Sequence, residues 1–384
     1  LLASCGGGAS DGSTGLAGSI SSSTSLSEAA ALGESIFHDA SLSASGNQSC
    51  ASCHLPGQAH AQVNALAVQL GGPNGDQAGF RASPSLRYLS FNPAFSFAAD
   101  GAPGGGFNRD GRSQTLAEQA LRPFLAPHEM ANASPADVIK RLRQAGYAAR
   151  FQQLFGANIF ENPDDAFARM TFALQQFQKQ APQFHPFDSK YDGFIAGKLR
   201  LSDAEIRGLA LFNNPAKGNC AACHISVRGA DGSPPLFTDF SFDNLGVPRN
   251  MAIPANADPA YFDLGLCGPD RTDLGTRTDL CGAFKVPTLR NVATRKVFFH
   301  NGAFSDLRKV IQFYVRRDTH PQEWYPTVNG KVQKFNDLPP EYHRNVNVTE
   351  GPYNRSVGLE PALSEAEIDE LLLFLRTLTD GYVP

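Results

Sequence analysis

Tryptophan is almost absent from the 384 residues; the only one is Trp324. Any chemistry that needs an indole therefore has a single candidate. No basic run is longer than two residues and the formal net charge is -4, so nothing in the charge pattern points to nucleic acid. No uninterrupted apolar run approaches the roughly 18 residues of a membrane span. Strand-like alternation is scarce too, and the chain is predicted to be mainly α with long loops. Phenylalanine, by contrast, is abundant, with 28 residues in a chain that is 42% hydrophobic. A sizeable core is available, and its aromatic packing falls to Phe. The length is a soft prior for two domains.

The stretch LLASC (1–5) has the form of the end of a bacterial lipoprotein signal, with Cys5 as the lipid-bearing residue. The alternative is a Gly/Ser leader with a chance cysteine. A Gly/Ser-rich run follows to about residue 25, the composition of a flexible tether. Together they predict a periplasmic domain held at a membrane surface by a lipid on Cys5. Disulfides persist in that compartment.

Four of the seven cysteines sit in two pentapeptides, CASCH (50–54) and CAACH (220–224). Cys-x-x-Cys-His is the signature of covalent haem attachment. Two thiols on one turn add to the two vinyl groups of one haem, and the next residue is carried under the iron. Cys50 and Cys53 would hold one haem c, and Cys220 and Cys223 a second. His54 and His224 are the proposed proximal iron ligands. A thioredoxin-like pair gives no reason for a His after both motifs. A zinc ribbon separates its pairs by about 15–20 residues, whereas these pairs start 170 residues apart. Cys267 and Cys281 bracket a loop rich in Gly, Asp and Thr, and a disulfide is predicted there. The alternative is two free buried thiols.

The motifs lie in a weak internal repeat. LSEAAALGESIFHD (26–39) aligns with LSDAEIRGLALFNN (201–214), matching Gly33 with Gly208 and Phe37 with Phe212. Each segment reads as a helix leading into its haem motif. Capping boxes, Ser202 with Glu205 and Ser364 with Glu367, open two helices. The second of these, 363–378, is strongly periodic and is predicted to pack on the second domain. Further helical patterns cover about 115–122, 135–155 and 164–180. Residues 71–111, 228–282 and 319–362 read as loops. The resulting division is a tether (1–25) and two cytochrome c-like domains, 26–190 and 191–384.

This order resembles the bacterial di-haem cytochrome c peroxidase superfamily, in its MauG-like branch. Beyond the haem motifs the resemblance rests on RASPSL (81–86), FNPAF (91–95), DGRSQTLAEQALRPFLAPHEM (110–130), FKVPTLRNV (284–292), FFHNG (298–302) and LLLFLRTLTDGY (371–382). It implies that Gln119, Pro123 and Glu129 line the open face of the N-terminal haem, where hydrogen peroxide binds. Glu129 is then the acid/base for O–O cleavage, with a desolvated carboxyl. Family members that reduce peroxide often block this haem with a His from the following loop. Residues 61–90 contain no His, and His60 is read as a polar loop residue, so the first haem is expected to be open.

For the second haem, the count from His300 puts the distal ligand at Tyr314, where typical peroxidases have Met. Met favours ferrous haem, whereas an anionic tyrosinate favours ferric and higher states. His300 itself is read as structural, near the edge of this haem. The resemblance thus implies an enzyme that shares two oxidising equivalents with the His224/Tyr314 haem and oxidises residues, such as a Trp, on a periplasmic partner protein. The alternatives are a peroxide-scavenging peroxidase fed by a small cytochrome or copper protein, and a plain di-haem electron carrier.

Three positions depart from the family pattern. Arg109 stands where the inter-haem Trp is expected, so either Phe97, Phe107, Tyr88 or the distant Trp324 bridges the haems, or charge moves without a bridge. The Asn of the inter-haem calcium site aligns with Ala82. That leaves the carbonyls of Arg295 and Val297 as calcium ligands, with calcium held weakly, through water, or not at all. The Cys267–Cys281 loop and the segment 319–360 resemble the MbnH group of the MauG-like branch, which is linked to Trp oxidation on a partner.

Overall fold

The computed structural model describes residues 25–384, so Cys5 and all but the last residue of the tether lie outside the described residues. The described chain is mainly α. Its only sheets are four two-stranded antiparallel pairs with strands of two residues. Ten helices run in the order α1 (Glu28–His38), α2 (Cys50–Cys53), α3 (Leu116–Leu125), α4 (Pro135–Leu142), α5 (Ala148–Phe155), α6 (Pro163–Gln180), α7 (Lys190–Ile195), α8 (Asp203–Asn213), α9 (Leu307–Arg316) and α10 (Glu365–Arg376). Both capping boxes form, at the starts of α8 and α10.

One hydrophobic cluster is built from residues between Leu32 and Phe184, and a second from residues between Tyr191 and Leu378. A smaller third cluster gathers Phe313, Tyr325 and Phe335 under the loops of the second half. The internal repeat acquires a physical reason in these cores. Helix α1 lies on α6, and Gly33 meets the main chain at Ala173. Helix α8 lies on α10, and Gly208 meets the main chain at Glu370. At either glycine an added Cβ would overlap a carbonyl oxygen. Phe37 and Phe212, the other matched pair, are both buried. The C-terminal helix thus packs on the second core, where its periodicity places it.

The periodic stretch 135–155 is two helices, not one. Residues 143–147 turn between α4 and α5, and the hydroxyl of Tyr147 donates to Asp39 at 2.6 Å, tying the turn to the end of α1. Cys267 and Cys281 are bonded, with Cα atoms 4.9 Å apart.

The two cores are joined by buried polar contacts. Near the C-terminus, the Asp380 carboxylate accepts from Tyr88 Oη at 2.6 Å, Arg87 at 2.8 Å and Asn291 Nδ2 at 2.6 Å. Arg81 pairs with Asp110 and Asp263, both at 2.6 Å. Within the second half, Arg290 makes a two-pronged pair with buried Asp192 at 2.9 Å.

Candidate functional site

A single cavity runs between the two cores. Cys50, Cys53 and His54 line one end, and Cys220, Cys223 and His224 line the other. Both motifs close in the same way. The amide of His54 donates to Cys50 at 2.9 Å, and that of His224 donates to Cys220 at 2.8 Å. The two thiols of each motif therefore share one turn, with the His at its exit. All four thiols are free. Burial pushes Cys50, Cys220 and Cys223 up to about 12, and Cys53 up to about 11. With no metal bound they stay protonated, unlike a poised redox dithiol.

The imidazoles are held in the manner of metal ligands. His54 Nδ1 lies 3.0 Å from the Pro84 carbonyl and 3.3 Å from that of His60, and His224 Nδ1 lies 2.9 Å from the Phe237 carbonyl. With Nδ1–H donated to a carbonyl, Nε2 is the free lone pair. Burial holds both rings below the ordinary His range, His54 at about 4, so both are neutral. Free thiol pairs, neutral oriented imidazoles and a continuous cavity fit two covalently held haems.

On the open side of the first end, Gln119 and Pro123 lie one turn apart on α3. The chain turns back after α3, and the Glu129 amide donates to Ala126 at 3.0 Å. Gly72 then donates to the Glu129 carbonyl at 2.7 Å. Gly71 permits this approach, since a Cβ there would come within 2.9 Å of Glu129 Cα. Glu129 lines the cavity and is open to that space, while protein packs around its carboxyl. Burial raises it to about 7, opposed by the charge of Arg112 and assisted by Asp270. Two neighbours that the sequence did not single out complete this wall. Arg112 pairs with Asp110 at 2.7 Å and Asp270 at 3.3 Å, and His128 packs edge-on to Phe80 at 4.9 Å. Nothing in their spacing marked them.

At the second end, α9 places Tyr314 on the cavity wall. Its ring stacks on Phe299 at 5.9 Å and lies 5.8 Å from that of Tyr353, a second cavity-lining tyrosine that the sequence gave no signal for. Burial raises the Tyr314 phenol above its ordinary range, and the charge of Asp243 adds to this. No sulfur competes with it. Met130 belongs to the first core, Met170 is fully buried in the same core, and Met251 is 65% exposed.

His60 is not a polar loop residue. It is fully buried and stacked on Phe184 at 4.1 Å, because the loop folds back under the first core. The proposed bridging aromatics also scatter. Phe97 is exposed, Phe107 is buried beside Lys285, and Trp324 packs on Phe304 and Phe313. Of the four, only Tyr88 lines the cavity. Two further rings do so as a stacked pair, Phe284 and His300, 3.7 Å apart and 7° from parallel.

At the expected calcium position the side-chain ligand is missing and a fixed positive charge stands nearby. The Ala82 side chain offers no oxygen, and the Arg295 guanidinium is bonded to the Ser83 carbonyl at 2.7 Å. No group of three His, Cys, Asp or Glu side chains is arranged to hold a metal ion among the described residues.

Comparison with known proteins points the same way as the geometry. A family model described as di-haem cytochrome c peroxidase matches residues 27–200. The methylamine utilization protein MauG of Paracoccus denitrificans is 36% identical over 91% of this chain and 88% of its own. Cytochrome c551 peroxidase of Nitrosomonas europaea is 28% identical over 74% of this chain and 71% of its own. Among solved structures, the diheme peroxidase BthA of Burkholderia thailandensis superposes with a TM-score of 0.85 at 40% identity, covering 92% of this chain and 86% of that one.

Proposed function

The chain belongs to the di-haem cytochrome c peroxidase and MauG family, and on that premise we propose that it directs the oxidising power of hydrogen peroxide onto side chains of a partner protein, with Trp as the favoured target. At the level of the family it is a di-haem peroxidase-type oxidoreductase that acts with hydrogen peroxide and carries two haem c groups. When bound, the haems supply the electron-transfer chemistry: peroxide takes two electrons and two protons and leaves as two waters.

The protein's own residues do the rest. Cys50 and Cys53 would anchor the first haem and Cys220 and Cys223 the second, and His54 and His224 would offer Nε2 to their irons. Glu129 takes the proton from the near oxygen of peroxide and returns it to the departing one. Gln119 offers a hydrogen bond beside it, and Pro123 keeps that wall free of a donor. Tyr314 would offer its phenol oxygen to the iron of the second haem. The observation that carries the reading is Tyr314 on the cavity wall, with no Met at that end. An anionic oxygen ligand favours oxidised iron and makes a poor entry point for electrons from a small carrier. The division at residue 190, the periplasmic setting and a lipid on Cys5 belong to the same proposal.

The test is mass spectrometry of candidate partner proteins, incubated with this enzyme with and without peroxide. A peroxide-dependent mass change on a partner residue, lost in Tyr314→Met, is the expected result. Fast peroxide turnover with a reduced small cytochrome, and no modified partner, would establish the scavenging reading instead.

A further inference from the structure

Three cations, Arg109, Arg295 and Lys285, line the cavity between its two motif ends. The nearby carboxylates are engaged elsewhere, Asp110 by Arg81 and Arg112, and Asp263 by Arg81. The three cations donate to main-chain carbonyls instead. Arg109 Nε reaches Ala82 at 3.0 Å, Arg295 reaches Ser83 at 2.7 Å, and Lys285 Nζ reaches Gly106. One Nη of Arg295 is buried without any partner. Burial, and then the charges of Arg295 and Arg81, pushes Arg109 down to about 9. Burial pushes Arg295 to about 10 and Lys285 to about 7. A guanidinium keeps its proton. The protein balances this positive charge only in part, through Asp263 at Arg109 and Asp110 at Lys285, and all three side chains reach carbonyls rather than carboxylates.

We propose that the Arg109–Arg295 pair is a built-in replacement for the inter-haem calcium ion, and that its counter-charge is the carboxylate side chains of the two haems. Calcium takes about six to eight oxygen ligands. Here the side chain of Ala82 supplies none, and two guanidinia already sit on the carbonyls of consecutive residues, 82 and 83. A divalent ion brought to this place would meet fixed positive charge where it needs oxygen. The guanidinia do the ion's mechanical work through charge-assisted bonds. Arg109 ties the DGR segment to Ala82, and Arg295 ties the start of the FFHNG segment to Ser83. They also do its electrical work, because haem carboxylates entering a buried cavity need cations nearby. Unlike an ion, this charge cannot be washed out. The inference does not depend on Tyr314 or on the identity of any partner.

The experiment uses the holoenzyme. Calcium content is measured by elemental analysis, and the ferric spectrum and both haem midpoint potentials are recorded before and after EGTA treatment. The expected result is no stoichiometric calcium, and no change with EGTA or with added calcium. Stoichiometric calcium, or a spectral loss in EGTA that calcium restores, would overturn the proposal. In a second arm, Arg109→Gln and Arg295→Gln should each lower both haem potentials, because reduction loses a nearby positive charge. Arg109→Lys should restore the Arg109 loss. Haem-loaded glutamine variants with unshifted potentials would equally overturn it. If neither glutamine variant takes up haem, the calcium measurements on the unaltered protein decide alone.

Discussion

With Glu129 as the proposed acid/base, its raised carboxyl should make the peroxide reaction pH-dependent in a defined direction. A general base must be ionised to act, and burial puts this one at about 7. The rate of the peroxide reaction should climb with pH through that value and level off above it. The ionised fraction is about 9% one unit below the pKa and about 91% one unit above it, so the rate should rise about tenfold between pH 6 and pH 8. Hydrogen peroxide itself stays protonated over this range. His128 also faces this wall and burial lowers it, so its removal separates its titration from that of Glu129. Glu129→Gln should flatten the profile and slow the reaction by about 10²–10⁴-fold, the usual contribution of a positioned acid/base. Glu129→Asp keeps the charge but withdraws the carboxyl by one methylene, and a misplacement of about 1 Å costs about 10²-fold. The assay is stopped-flow absorption of the ferric enzyme with excess peroxide from pH 5.5 to 8.5, repeated with His128→Asn. A flat profile in the unaltered enzyme would refute the assignment. So would a Glu129→Gln variant that keeps both rate and slope.

Three further outcomes follow from the geometry. Tyr314→Met should raise the midpoint potential of the second haem in spectroelectrochemical titration while leaving the first haem's reaction with peroxide in place, whereas a Tyr314 that only fills the core would leave the potential unchanged. Gly33→Ala and Gly208→Ala each press a methyl against a carbonyl of the facing helix, and each should cost about 1–3 kcal/mol in denaturant unfolding of the holoprotein. Arg290→Met leaves the buried Asp192 carboxylate without its partner and should cost about 3–5 kcal/mol. Burial alone would raise Asp192, but the bonds from Arg290 hold it below the usual carboxylate range. Its contribution is therefore complete above the unfolded carboxylate pKa of about 4 and fades as pH falls through the lower folded value, which acid titration of stability would follow.

The haem attachment motifs were legible because covalent chemistry fixes both residue type and spacing within five positions. The helix pairs were legible for a related reason. Gly33 and Gly208 recur in aligned segments, and each is needed where two main chains touch. What escaped depends on residues far apart in sequence. His60 looks polar in its own loop and is buried only because Phe184 closes over it. The stretch 135–155 keeps one periodicity, yet it breaks where Tyr147 reaches back to Asp39. Arg112, His128 and Tyr353 carry no local pattern, since each reaches the cavity through a loop whose path is set by contacts elsewhere. The position of Arg109 was visible, but not its bond to Ala82, and only that bond shows what the substitution does.

Asp380 is the fifth residue from the end of the chain, and three donors converge on it: Arg87 and Tyr88 from the first half, and Asn291 from the second. The join between the halves is thus completed by a residue that is made after every residue of the two cores. Before Asp380 emerges, the halves lack this fastening and the space between them can stay open to bulky cofactors. A cut just ahead of Asp380 would strand all three donors at once, although it would remove neither a haem ligand nor any residue of either hydrophobic core.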